Sequence, residues 1–228
     1  MGKTFRNLAA LAAFAFAGTA FADPISISAG CPGDTDCDAT VDDTYSFLWT
    51  VAGGTGNETD GFTTFDVTLE NTSPDTTPEA LIDAFAFNLA EDFLETELTF
   101  SDVTPDSWEV TYATGGIKFD YVGDTQGTPA NRLGSGDILS FTMNFTSAQT
   151  YDLFLNAGAS SGSGFGGGED SGQVCVSFQQ LGGGGGQSDL VCGEYGDTPT
   201  KVSEPATLGL LGLGLLGVGF VRRRRLAA

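Results

Sequence analysis

The chain has 228 residues and no histidine, which removes the usual base for a serine or cysteine nucleophile and the commonest metal ligand. Gly158-Ala159-Ser160-Ser161-Gly162 has the spacing of a G-x-S-x-G nucleophile elbow. That motif works only on a strained strand-to-helix turn with a base beside the serine. Here it lies in a glycine and serine tract with no imidazole to take the proton, so it reads as composition. Gly162, Gly164 and Gly167 satisfy G-x-G-x-x-G, but no strand-to-helix turn or acidic ribose partner accompanies them. Carboxylates number 30, so choosing two as a glycosidase pair would be arbitrary. The expectation is a protein without catalysis and without a resident cofactor.

Three constellations remain. Asp34, Asp36 and Asp38, with Asp42 or Asp43 nearby, place several hard oxygens on one short loop, the donor type that Ca²⁺ takes. The EF-hand pattern is absent, because its glycine position holds Ala39 and its twelfth position holds Tyr45. The plainer reading is a solvated acidic loop, and no metal site is expected. Trp49, Trp108, Tyr112 and Tyr121 would form a glycan-stacking platform if they shared an exposed sheet face, and core packing if they point inward. The cysteines are Cys31, Cys37, Cys175 and Cys192. An even count in an exported chain reads as two disulfides, and the close spacings favour Cys31 with Cys37 and Cys175 with Cys192. A zinc site is a poor alternative without histidine or a C-x-x-C pair.

The strongest pattern lies toward the end of the chain. Ser203, Glu204 and Pro205 lead into residues 206–221, an apolar segment followed by Arg222, Arg223, Arg224 and Arg225. As a helix that segment would be about 24 Å long, slightly short of a bilayer core of about 30 Å. Arginines at its end can snorkel to cover the difference. The arginine cluster should stay on the cytoplasmic side and everything before Pro205 on the outer side. Ser203 or Glu204 suits the helix entry, and Pro205 suits a first turn. Gly209, Gly212, Gly214, Gly217 and Gly219 never fall four apart, so the helix carries no G-x-x-x-G dimerisation face.

This motif, helix and arginine cluster resembles the PEP-CTERM sorting signal of Gram-negative bacteria, which an exosortase processes in the inner membrane. Glu204, Pro205, the Gly/Leu-rich helix and Arg222 to Arg225 carry the resemblance. Ser203 stands where the family usually has its first proline. The resemblance implies an exosortase-type membrane protease as partner and contact with the inner membrane through the tail. It implies a precursor anchored facing the periplasm, followed by release to the cell surface or beyond. For the cargo it implies a structural or adhesive component of the surface or of a secreted exopolysaccharide matrix, as in biofilm.

The opposite end fits export as well. Lys3 and Arg6 precede the apolar residues 8–17, and Ala20 and Ala22 form an A-x-A cleavage site. The expected organisation is therefore a signal peptide over 1–22, an extracytoplasmic domain over 23–200 and the sorting tail over 201–228. Between the cleavage site and the apolar segment, only Lys118, Arg132 and Lys201 oppose the 30 acids, a net charge of −27. Such a surface sets aside duplex nucleic acid and anionic lipid as partners of the domain.

The domain must be built from strands. Short runs rich in Phe, Val, Thr and Leu at 45–51, 62–70, 81–89, 98–100, 108–112, 117–122, 138–145, 151–155, 174–178 and 190–192 alternate with turn clusters. Phe65, Val67 and Leu69 alternate with Asp66, Thr68 and Glu70, the period of a half-buried strand. Residues 91–95 are expected to make a short helical turn. Glycine-rich tracts at 158–172 and 182–186 read as loops. The fold class expected is all-β: a two-sheet antiparallel β-sandwich, jelly-roll-like, with glycine-rich loops and one C-terminal transmembrane helix. A carbohydrate-binding module is the alternative, to be decided by the exposure of Trp49 and Trp108. A hydrolase is the third reading.

Overall fold

The computed structural model describes residues 23–32, 44–75, 79–125, 128–161, 171–181 and 187–195. The strands among them are β1 (Ile25–Pro32), β2 (Thr44–Gly53), β3 (Gly56–Asn57), β4 (Gly61–Asn71), β5 (Leu81–Phe87), β6 (Leu98–Thr104) and β7 (Glu109–Tyr112). They continue with β8 (Tyr121–Asp124), β9 (Ile138–Gln149), β10 (Ser160–Ser161), β11 (Ser171–Gly172), β12 (Val174–Leu181) and β13 (Gln187–Gly193). A six-stranded sheet runs β1-β2-β4-β9-β6 with β3 beside β4, and a five-stranded sheet runs β13-β12-β5-β8-β7. All pairings are antiparallel. The chain crosses from one sheet to the other at β4–β5, β5–β6, β6–β7 and β8–β9, and again between β9 and β12 by way of the β10–β11 ribbon, so neither sheet is a simple meander.

Alternation along the central strands explains why the sheets face each other. In β2, Tyr45, Phe47, Trp49 and Val51 point inward, as do Phe65, Val67 and Leu69 of β4 and Leu139, Phe141 and Met143 of β9. The register places Val51 beside Val67 and Val67 beside Phe141, so apolar rows run across the sheet. From the other sheet, Ile82, Phe85 and Phe87 of β5 and Val174, Val176 and Phe178 of β12 meet them. Trp49 packs on Phe85 at 5.5 Å and Phe87 at 5.3 Å between ring centroids, and Phe85 on Phe141 at 5.9 Å. Such tilted and offset pairs add to the area term. Gly123 permits this layer to close: a Cβ there would lie 2.1 Å from the Phe85 ring.

The sequence pattern places most strands correctly and misplaces several boundaries. Residues 151–155 are a single helical turn, α1 (Asp152–Leu155), instead of a strand. A strand would send Leu153 and Phe154 to opposite faces, whereas the turn buries both under the end of the sandwich. There Phe154 and Tyr151 join Phe65 and Phe62, and Tyr151 Oη accepts the Gly53 N–H at 2.7 Å. β5 ends at Phe87, two residues before Leu89, because the Asn88 N–H is taken by Gln173 O. The turn expected at 91–95 falls later, where Glu97 and Leu98 N–H groups both donate to Leu94 O. β8 begins at Tyr121, since residues 113–120 carry Gly115 and Gly116 at positive φ and fold over the outside of the sheet. β1, absent from the sequence expectation, adds the sandwich's first edge.

Candidate functional site

The sorting segment with Ser203, Glu204, Pro205 and Arg222 to Arg225, and the expected membrane helix over 206–221, lie outside the described residues. Among the described residues no helix is long and apolar enough to cross a membrane. What the structure does give is the setting of β13 and of the two residues after it, the last described before that segment.

β13 ends at Gly193 against β1. A Cβ on Gly193 would lie 2.4 Å from Ile27 Cγ2 and 3.0 Å from Ala29 Cβ, so glycine is what lets the first and last strands touch. One residue earlier, Cys192 sits opposite Cys175 in the β12–β13 ladder and is disulfide-bonded to it, as the sequence spacing predicts. Two residues later, Tyr195 is fastened twice. Its N–H donates to Gln173 Oε1 at 2.6 Å, and its hydroxyl accepts the Trp49 Nε1–H at 2.9 Å. Burial pushes the Tyr195 phenol far above its ordinary pKa, with the Trp49 bond opposing, so it is a neutral hydroxyl at any working pH.

Gln173 is the hub of this corner. Buried itself, it donates through Nε2 to Ala157 O at 2.6 Å, and its N–H donates to Gly193 O at 3.0 Å. Its carbonyl accepts Asn88 N–H at 3.0 Å. Asn88 in turn donates to Gly158 O and Ser160 Oγ, and accepts Asp120 N–H. Two buried amides thus organise the start of the glycine-rich tract and the end of the domain together. Sequence reading passed over both, because a lone Asn within an apolar run or a lone Gln before one carries no motif; the nearby Gly158 and Gly172 were the only signal.

The other candidates resolve as follows. Trp49, Trp108 and Tyr121 are 0%, 4% and 1% exposed, so the aromatic platform is corrected to core. Trp108 donates Nε1–H to Asn131 O at 2.8 Å and stacks on Phe85. Tyr112 is partly buried, packing edge-on to Phe100. Ser160 belongs to the β10–β11 ribbon, its hydroxyl donating to Lys118 O at 2.9 Å, which is not the setting of a nucleophile. Cys31 is disulfide-bonded; its expected partner Cys37, like Asp34, Asp36, Asp38, Asp42 and Asp43, lies outside the described residues. Among the described residues no group of three or more acidic, cysteine or histidine side chains is arranged to hold a metal. Asp189, buried on β13, accepts from the Tyr45 hydroxyl and from Leu190 N–H, which binds the last strand to β2.

Residues 201–225 match the PEP-CTERM protein-sorting motif family. The match marks an exported protein, sorted through an exosortase from a membrane-anchored precursor. Comparison with curated proteins and with solved structures returned no match.

Proposed function

We propose that the chain is the precursor of a non-catalytic, acidic β-sandwich that faces the periplasm until an exosortase-type protease cuts near Ser203-Glu204-Pro205 and frees it for the cell surface or the extracellular matrix. The observation that carries this reading is the motif at 201–225, which follows the β-sandwich in the chain. Residues 206–221 act as the stop-transfer helix, and Arg222 to Arg225 hold its end in the cytoplasm. The net charge of −27 over the exported part keeps it soluble and self-repelling at high local density. Neither Trp49 nor Trp108 is free to stack on a sugar ring, which favours a scaffold or spacer role in the matrix over a glycan-binding one.

The test is cell fractionation with an immunoblot against the sandwich. Changing Glu204 and Pro205 together to alanine traps full-length protein in the inner membrane and leaves the sandwich folded. Equal release of wild type and variant would reduce the tail to a plain anchor.

A further inference from the structure

The disulfide between β12 and β13 is covered on one side only. Cys175 and Cys192 stand directly opposite each other in the register, and the same row continues to Ala86 on β5 and Val122 on β8. Cys175 therefore has a strand of its sheet on either side, whereas Cys192 is on an edge strand whose ladder partner is β12 alone. Cys175 is fully buried and Cys192 only partly so. The cover at the interior end is Phe119, buried with Cys175, Ala86 and Leu190 in one cluster. Both neighbours of Phe119 are fastened: Lys118 O accepts the Ser160 hydroxyl at 2.9 Å, and Asp120 donates its N–H to Asn88 Oδ1 and accepts the Leu89 N–H, each at 3.1 Å. At the other end Gly172 passes beside Cys192, where an added Cβ would lie 2.9 Å from the Cys192 Cβ, so that crossing has no side chain to lay over the sulfur. β1 meets this end of β13 at Gly193, one residue on and therefore on the opposite face.

This asymmetry decides how the bond reacts. Thiol–disulfide exchange is a displacement at sulfur, in which the incoming thiolate approaches along the S–S axis from the side away from the sulfur that leaves. A thiolate attacking Cys192 comes from beyond β13, where no further strand of that sheet stands. One attacking Cys175 would have to come over Ala86, about 4.8 Å further into the sheet, through the space that Phe119 fills. Attack at Cys192 breaks the Cys175–Cys192 bond, forms a mixed disulfide on Cys192 and leaves the electron pair on Cys175 as a thiolate. That charge arises in an apolar cluster, where burial disfavours it, and it faces the mixed disulfide from the opposite position in the ladder. The return step wins over escape.

We propose that Cys175–Cys192 is a one-sided exchange site: Cys192 is the sulfur that takes an incoming thiol, and Cys175, held under Phe119, is the resolving sulfur that expels it again. A monothiol is turned away. A dithiol completes the reduction, because its second thiolate attacks its own mixed disulfide and releases Cys192; both cysteines end reduced and the dithiol ends oxidised. The edge strand β13 thus keeps its staple among monothiols and gives it up to a dithiol.

The experiment uses the full chain purified in detergent, incubated folded with 2-mercaptoethanol or with dithiothreitol, quenched in acid denaturant, alkylated and mapped by peptide mass. With 2-mercaptoethanol the adduct is on Cys192 and the alkylated partner is Cys175, while most of the bond stays closed; dithiothreitol at the same thiol concentration opens it. Phe119→Ala, which uncovers the line over Ala86 and wets Cys175, raises the fraction opened by the monothiol about tenfold and lets adduct form on Cys175 as well. Cys175→Ser and Cys192→Ser give a measurement that does not depend on Phe119→Ala folding. In the folded chain the remaining Cys192 is alkylated freely and the remaining Cys175 about a hundredfold more slowly, since it waits on local opening. Adduct on Cys175 in the wild type, equal alkylation of the two single variants, or a bond that monothiol and dithiol open alike overturns the proposal. So does a bond that neither opens in the folded chain, or an unchanged adduct map in folded Phe119→Ala.

Discussion

The five-stranded sheet has an apolar cluster on each face, and the two are held by different means. Toward the partner sheet, β12 contributes Val174, Val176 and Phe178 to a layer that includes Trp49, Phe65, Phe85, Phe87 and Phe141. On the outer face the alternate residues Cys175 and Cys192, with Ala84, Ala86, Val122 and Leu190, lie beneath Phe119 and Ile117 from residues 113–120. The inner layer closes mainly on ring area, with the disulfide-bonded Cys31 on its β1 side. The outer cluster has small residues and one large aromatic roof, and the Cys175–Cys192 bridge lies within it. Burial of a large side chain stabilises by about 1.5–3 kcal/mol, so a thin cluster under one phenylalanine gains from a bridge what the inner layer gains from packing.

The largest effect that could break this contrast is at the centre of the inner layer. Phe85→Ala removes a ring that meets Trp49, Phe87, Trp108 and Phe141 and is expected to cost about 3–5 kcal/mol in denaturant unfolding. Gly123→Ala drives a methyl into the same ring and costs about 1–3 kcal/mol. Paired with Phe85→Leu, the Gly123→Ala penalty should shrink, and a double-mutant cycle measures by how much.

Next comes the outer face. Replacing Cys175 and Cys192 together by serine reopens a loop of 17 residues' separation and is expected to cost about 3 kcal/mol. A loss larger than that of Phe85→Ala would mean that the bridge, and not ring packing, is the main support of the five-stranded sheet.

How much of this was legible beforehand divides along the same line. The inner layer was written in period-two runs: Phe65, Val67 and Leu69 of β4 face the core as their alternation demands. The Cys175–Cys192 pair followed from spacing. β1 was missed because Ile25-Ser26-Ile27-Ser28 is short and adjoins the segment read as a signal peptide, and its edge role depends on a partner about 20 residues on. Residues 151–155 misled because apolar content fixes burial without fixing period, and only the end-on packing of Leu153 with Phe154 selects a turn. Tyr195, Gln173 and Asn88 could not be found locally. Each acts on atoms brought close by the pairing of β12 with β13 and β5 and by the packing of one sheet on the other, a relation no window of sequence contains. The sorting motif was fully legible, because its chemistry is one of order along the chain.

A smaller effect tests whether the inner layer tolerates polarity only by satisfying it. Asn71 continues the inward series of β4 and is fully buried. Its Nδ2 donates to Ala80 O at 2.8 Å and Leu133 O at 2.9 Å, and its Oδ1 accepts Ser73 N–H at 3.1 Å. Asn71→Ala removes the side-chain partner of Ala80 O and of Ser73 N–H, while Leu133 O keeps the Ile82 N–H, and is expected to cost about 1–3 kcal/mol. Asn71→Asp, which lacks the donors and adds charge, should cost more at neutral pH than at mildly acidic pH.

The smallest effect lies on the outer side, in its two half-buried carboxylates. Burial raises Asp83 above the ordinary carboxylate value, against the lowering by Ser177, by Arg132 at 3.7 Å and by Gln179. Burial likewise raises Asp120, with Asp92 adding to the rise and the Leu89 N–H opposing it. A group whose pKa is higher in the folded state binds its proton more tightly there than in the unfolded chain. Stability is therefore greatest where both states are protonated and falls as pH climbs from about 4, the unfolded carboxylate value, through the folded value. At neutral pH that contribution is lost, so mild acidification from pH 7 toward pH 4.5 should raise the thermal midpoint. General relief of charge repulsion acts in the same direction at a net charge this negative, which is why the variants matter more than the trend. Asp83→Asn and Asp120→Asn together should flatten the slope between pH 7 and pH 4.5, while Asp66→Asn, on the exposed face of β4, should leave it unchanged. Identical slopes in all three proteins would assign the whole pH dependence to surface charge and leave the outer face electrostatically indistinct from the rest of the domain.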